Sequence, residues 1–164
     1  MVKSLYLGVD IGTYESKGVL VDIKGNIIAQ SSKKHQLLVP QQGWAEHRPI
    51  EDWWNDFVFI CNDLISKSKC NSLDIKAVTS SAIGPCMLPV DKNGNPLMNA
   101  VLYGVDTRAS KEIIELNNLI GEKKIIEFGG NPLTSQSVGP KILWLKKNRK
   151  DIYDKTYKIL NSTS

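Results

Sequence analysis

A mixed α/β domain is predicted by three observations in the 164-residue sequence. Three short apolar segments, Leu5–Val9, Gly18–Asp22 and Ile27–Ser31, follow one another in quick succession, with Lys24-Gly25-Asn26 as a hairpin signal between the last two. Segments with helical periodicity then alternate irregularly with further strand candidates. Neither GxGxxG nor GxxxxGK[ST] occurs, so the regular β-α-β order of a dinucleotide-binding fold is not indicated.

The elements can be justified in order. The opening reads as an antiparallel meander. A loop containing Pro40 and Gly43 follows, and then "HRPIEDWWNDFVFICNDLISKS". Pro49, Glu51 and Asp52 mark a helix start, because proline suits the first helical position and acids suit the positive end of the dipole. Trp53, Phe57, Ile60, Cys61 and Leu64 recur at helical spacing as its buried stripe. A strand from about Ile75 runs into the small-residue loop "SSAIGP". "CMLPVDKNGNPLMNAVLY" reads as a second hairpin, since Asp91, Asn93, Gly94, Asn95 and Pro96 cluster at its tip. Asp106 to Asn118 is predicted helical, with a stripe at Ile113, Ile114, Leu116 and Ile120. A second helix spans Gly121 to Phe128 before Gly129-Gly130. "PKILWLKKN" is a third, and "TYKIL" is a final strand.

Composition excludes several classes. Hydrophobic content of 41% and charged content of 23% are ordinary for a globular chain long enough to bury a core. The first apolar run stops at Asp10, too early for a signal peptide, and no 18-residue apolar run occurs, so a cytoplasmic protein without a membrane partner is expected. Cys61, Cys70 and Cys86 are odd in number and lack CxxC spacing, and only His35 and His47 accompany them. Neither a disulfide framework nor a transition-metal site is indicated. The net charge of +4 has its visible source in "KKNRKDIYDKTYK", which reads as a solvated helix end rather than a nucleic-acid surface.

The chemistry concentrates in "YLGVDIGTYESKGVLVD". Asp10 closes a strand, Gly12 permits close approach to the backbone, Thr13, Tyr14 and Ser16 bring hydroxyls, and Lys17 brings a positive charge. Exposed amides, hydroxyls and a cation make a phosphate cradle. Phosphate would repel Asp10 unless a divalent cation lay between them, so Asp10 is the candidate metal ligand, for Mg²⁺. Asp-x-Gly-Thr equally suits a plain hairpin turn, and Glu15 must face away from any phosphate.

In context, four stretches resemble the FGGY family of carbohydrate kinases: "LGVDIGTYESKGVLVD", "GWAEHRPIEDWW", "YGVDTRA" and "GPKILWLKKN". They cover essentially the whole chain in the family's order, and are most similar to the xylulokinase-like branch. The resemblance implies an actin-like, ribonuclease H-like ATPase domain, using ATP and Mg²⁺ to phosphorylate a small sugar or polyol. Asp10, Gly12, Thr13, Tyr14, Ser16 and Lys17 would form the first phosphate loop. Tyr103, Asp106 and Arg108 fall where relatives show an aromatic, an Asp and an Arg lining the sugar site, with Gly84, Pro85 and Cys86 in the neighbouring loop. Taken alone, "YGVDTR" also reads as a helix start with Asp106 as N-cap and Arg108 in a surface ion pair. The chain departs from relatives on the sugar side: "AIGPCM" has neither the Met-His pair of xylulokinases nor the Arg-Glu pair of glycerol kinases.

The resemblance further implies that residues 1–164 are the N-terminal, sugar-binding lobe and an incomplete part of the enzyme. The catalytic base and adenine pocket would belong to a C-terminal lobe, its partner, and the 164 residues alone would be inactive. Homodimers are common in such families. A non-catalytic, actin-like regulator or scaffold is the alternative expectation.

Overall fold

The structure, a computed structural model, describes residues 4–164. They divide into two compact units, one formed by the chain up to Leu37 with Arg48–Ile83, the other by Leu38–His47 with Gly84–Ser162.

The first unit is a four-stranded sheet backed by a helix. β1 (Leu5–Ile11), β2 (Glu15–Asp22) and β3 (Ile27–Lys34) form the expected antiparallel meander. The 22–26 turn is fixed by Asp22, whose Oδ1 accepts from Lys24 and Asn26 amides, with Gly25 at φ 83°. A π-helical turn, Pro49–Trp54, leads into α1 (Asn55–Ser68), and a 3-10 turn, Ser72–Asp74, leads into β5 (Ile75–Ala82). β5 lies parallel to β1, giving the order β3-β2-β1-β5.

Strand alternation decides what each face carries. Leu5, Leu7, Val9 and Ile11 of β1 and Leu20 of β2 are buried, as are Ile60 and Leu64 of α1. Gly18 lets α1 settle onto the sheet: a Cβ there would lie 2.3 Å from Ile60 Cγ2. Asp10, Lys17 and Val19 fall on the opposite, open face. The expected stripe of α1 is present at Trp53, Ile60 and Leu64, but Asp52 and Asp56 are buried with it.

The second unit holds two short antiparallel pairs and four helices. β4 (Glu46–His47) pairs with β7 (Ala100–Val101), and β6 (Leu88–Val90) pairs with β8 (Lys158–Leu160). The predicted turn residues close the 91–95 tip, where Asp91 Oδ1 accepts from the Asn93 and Asn95 amides. α2 (Ser110–Ile120), α3 (Glu122–Gly129), α4 (Val138–Asn148) and α5 (Lys150–Tyr153) follow. Met87, Val101, Ala109, Trp144, Leu145 and Ile152 form the core. The helix expected from Asp106 starts four residues later, because Asp106 is drawn inward by other partners. No described helix is long and apolar enough to cross a membrane.

Candidate functional site

The first cluster is the β1–β2 hairpin. Both strands run further than the sequence suggested, so only Gly12, Thr13 and Tyr14 form the loop. The Gly12 amide donates to the Glu15 carbonyl at 3.1 Å, and a Cβ at Gly12 would lie 2.6 Å from that same oxygen. Any other residue there would have to open the turn. The Tyr14 ring is exposed.

Alternation splits the predicted cradle residues into two sets. Asp10 and Lys17 are register partners and share the open face. Asp10 Oδ1 accepts from the Ser81 hydroxyl at 2.5 Å, fixing the carboxylate beside β5. A groove of about 270 Å³ runs along this face between Gly8, Asp10, Lys17, Val19, Thr79 and Ser81. Ser16 corrects the expectation. It points to the α1 side, is fully buried, and donates to Asp56 Oδ2 at 3.0 Å. The Gly12 amide, spent within the hairpin, is likewise not presented outward. Glu15 avoids the difficulty raised by its charge: it leans to Lys17 at 3.5 Å. Its carboxyl is held below the usual range by a hydrogen bond from Ser32 and by Lys17.

The second cluster is the 103–109 turn of the second unit. Asp106 is fully buried. Its carboxylate accepts from the Ala45 amide at 2.7 Å, from the Arg108 amide at 3.1 Å, and from Arg108 Nε and Nη2. Arg108 Nη2 also reaches Glu46 Oε1 at 2.8 Å, and the other Glu46 oxygen accepts from Asn99 at 3.0 Å. The guanidinium lies 4.0 Å from the Trp44 ring centre and 5.0 Å from that of Trp144, and these two rings meet edge to face. This is a desolvated, bidentate ion cluster with stacking on both sides, a task for which Lys could not replace Arg. Asp106 is therefore neither an N-cap nor an open polar edge, and Arg108 forms no surface pair; both brace the turn from within.

Lys141 of α4 completes the bracing. Its buried ammonium donates to the Leu102 carbonyl at 2.5 Å and the Tyr103 carbonyl at 3.0 Å. Burial pulls its pKa down to about 8; the neighbouring Arg108 charge acts the same way, while Asp106 opposes it. Ser135 donates to the Gly104 carbonyl at 2.8 Å. Tyr103 and Gly104 thus sit partly exposed on a rigid turn. In the 84–86 loop, the Cys86 amide donates to Asn161 Oδ1 at 2.9 Å, and the side chain is only 2% exposed. Burial pushes its thiol up to about 11, so Cys86 is a core residue rather than a contact on an open surface.

Residues 5–164 match the N-terminal domain of the FGGY family of carbohydrate kinases. The chain is 30% identical over 154 residues to a xylulose kinase of Lactococcus lactis, covering 94% of this chain and 30% of that protein. It is 27% identical over 156 residues to a glycerol kinase of Corynebacterium efficiens, covering 92% of this chain and 29% of the relative. Among solved structures, the xylulose kinase of Rhodospirillum rubrum superposes with a TM-score of 0.89 at 23% identity, over 96% of this chain and 32% of that one. This likeness gives the fold, the actin-like ATPase fold; the chain spans about a third of the length of these proteins. The chain belongs to the FGGY family of carbohydrate kinases, matching its N-terminal domain.

Proposed function

We propose that this chain is the sugar-binding lobe of an ATP-dependent kinase acting on a small sugar or polyol of the pentulose class, and that it supplies the first phosphate loop. The observation that carries the reading is the open face of the first sheet. Asp10, Lys17 and the Ser81 hydroxyl converge there on one groove, at the end where the 12–14 loop projects. No described residues form a cluster of three or more His, Cys, Asp or Glu side chains able to cage a metal. A lone exposed carboxylate fits Mg²⁺ well, because this ion keeps several waters and takes other ligands from the nucleotide phosphates. Bound there, the ion would neutralise charge on the phosphoryl groups.

The chain's own residues would then divide the work. Asp10 would hold the metal's water shell, with Ser81 fixing the carboxylate's direction. Lys17 would attract the terminal phosphates, while the loop hydroxyls of Thr13 and Tyr14 would face them. On the sugar side, Tyr103 would offer an aromatic face to the apolar side of the substrate. Asp106 and Arg108 would act by keeping that turn rigid, so that the reacting hydroxyl is positioned rather than merely bound. The base that receives the hydroxyl proton and the adenine pocket would come from a second, C-terminal lobe. Phosphoryl transfer depends on such positioning and on charge neutralisation, so neither lobe alone should catalyse it.

The test is ADP release from MgATP by the complete polypeptide that carries this domain, across pentuloses, hexuloses, pentitols, glycerol and gluconate, beside Asp10→Ala. Sugar-dependent turnover that falls at least about a hundredfold in the variant is expected. ATP binding with no sugar-dependent turnover would instead indicate a non-catalytic, actin-like regulator.

A further inference from the structure

Beneath the 12–14 loop lies a polar cluster on the α1 side of the first sheet, which the mechanism above does not use. His35 follows directly after β3, and its side chain is 3% exposed. Its Nδ1 lies 2.7 Å from Asp56 Oδ2, and its Nε2 lies 3.1 Å from the Gly12 carbonyl oxygen. The His35 amide also donates to the Tyr14 carbonyl at 3.0 Å, so this one residue grips both ends of the loop.

The partners define the proton count. A backbone carbonyl can only accept, so Nε2 must carry a hydrogen to bond Gly12. Asp56 is 1% exposed and accepts from the Ser16 hydroxyl at 3.0 Å and from the Lys33 ammonium at 3.0 Å. Two such donors require a carboxylate, so Nδ1 must carry a hydrogen as well. The ring that satisfies both contacts is an imidazolium. Neutral His35 would keep the shorter bond to Asp56 and turn a bare nitrogen lone pair towards the Gly12 oxygen, which repels it.

We propose that His35 is a positioning residue for the Gly12–Tyr14 loop, holding it as an imidazolium suspended between the Asp56 carboxylate and the Gly12 carbonyl. Its bearing on catalysis rests on the phosphate-loop reading given above. Among the groups facing the ring are Asp56 from α1, the Gly12 carbonyl from the loop, and Lys33 from β3 through Asp56. Arg48, paired with Asp52 at 2.7 Å, adds a further charge felt by Asp56. Loss of the His35 proton would free the Gly12 carbonyl and loosen the phosphate end of the groove.

The experiment is a pH titration of the full chain by nuclear magnetic resonance, from about pH 5.5 to about pH 8.5. It follows imidazole nitrogens and loop amides, and MgATP affinity is measured beside it on the complete polypeptide that carries this domain, with and without His35→Gln. The chain has only two histidines, and His35→Gln identifies the ring signals by their loss. Expected are a doubly protonated ring at the acid end, Gly12, Thr13 and Tyr14 amides that shift with the same midpoint as the ring, and MgATP binding about tenfold weaker once the proton is lost. The variant should bind MgATP with the weaker affinity across the whole range. A neutral ring throughout, or loop amides that ignore its titration, overturns the proposal. Loop amides that follow the ring, with equal MgATP affinity for the complete polypeptide and its His35→Gln variant, uphold the clamp and overturn the phosphate reading instead.

Discussion

Replacing Lys141 with Met should remove a pH dependence of stability that the native chain carries just above neutrality. Burial lowers the Lys141 pKa from 10.5 to about 8. Below about pH 8 the amine is charged in both folded and unfolded chains. Between there and 10.5 the folded amine is neutral while the unfolded one stays charged, so the unfolded state binds more protons and stability rises with pH. Each pH unit in that interval is worth about 1.4 kcal/mol, and the interval as a whole about 3 kcal/mol. Cys86 runs the other way. Burial raises its thiol from 9.0 to about 11, so the unfolded thiol ionises first and stability is lost as pH climbs through that range. Cys86 acts mainly above its unfolded value of 9.0, so Lys141 dominates the stretch from about pH 8 to about pH 9. Urea unfolding at those two pH values should show the native chain gaining about 1 kcal/mol and Lys141→Met gaining almost nothing. The absolute stability of the variant is less informative, because Met removes both a desolvated charge and the donors to the Leu102 and Tyr103 carbonyls. Parallel slopes for the two proteins would refute the reasoning.

Two further perturbations follow from the packing. Gly18→Ala would force a methyl to within 2.3 Å of Ile60 Cγ2 and 3.2 Å of the Gly8 carbonyl, and overpacking of this kind should cost about 1–3 kcal/mol, read as a lower urea midpoint at unchanged slope. Arg108→Lys would keep the charge but lose the fork that serves Asp106 and Glu46 together. About 2–4 kcal/mol of stability should go, with an altered near-ultraviolet circular dichroism signal as Trp44 and Trp144 lose the planar guanidinium between them.

Much of the fold was legible because it is written in local periodicity. The meander, the stripe of α1, the Asp91–Asn95 tip and the strand at Lys158–Leu160 all follow from turn chemistry and alternation. The polar interior was less legible, since its partners lie far apart in the chain: Asp56 is 21 residues from His35 and 40 from Ser16. A signal existed nonetheless. Asp52 and Asp56 continue the line of Ile60 and Leu64 at four-residue spacing, which places both acids on the buried face. Lys141 sits likewise in line with Trp144 and Leu145. An ionisable residue in phase with an apolar stripe is best read as buried and paired. The phosphate-loop residues show the reverse limit. Their types were apparent, but strand length decides which face each takes, and that sent Ser16 inward while leaving Asp10 and Lys17 together outside.

The parallel strand β5 has a consequence for how this polypeptide behaves in a test tube. From Lys76 to Ser81 every residue is exposed, and β5 stands last in its sheet among the described residues. Of the devices that blunt such edges (charges, proline, bulges), the stretch Ile75–Ala82 carries a charge at Lys76 and a register shift at the same point, both at its start, which leaves Ala77–Ser81 without one. The other edge, β3, carries Lys33 and Lys34. An uncovered β5 therefore offers a template for strand addition between copies, and turbidity that grows with concentration should be lessened by a second charge placed at Val78.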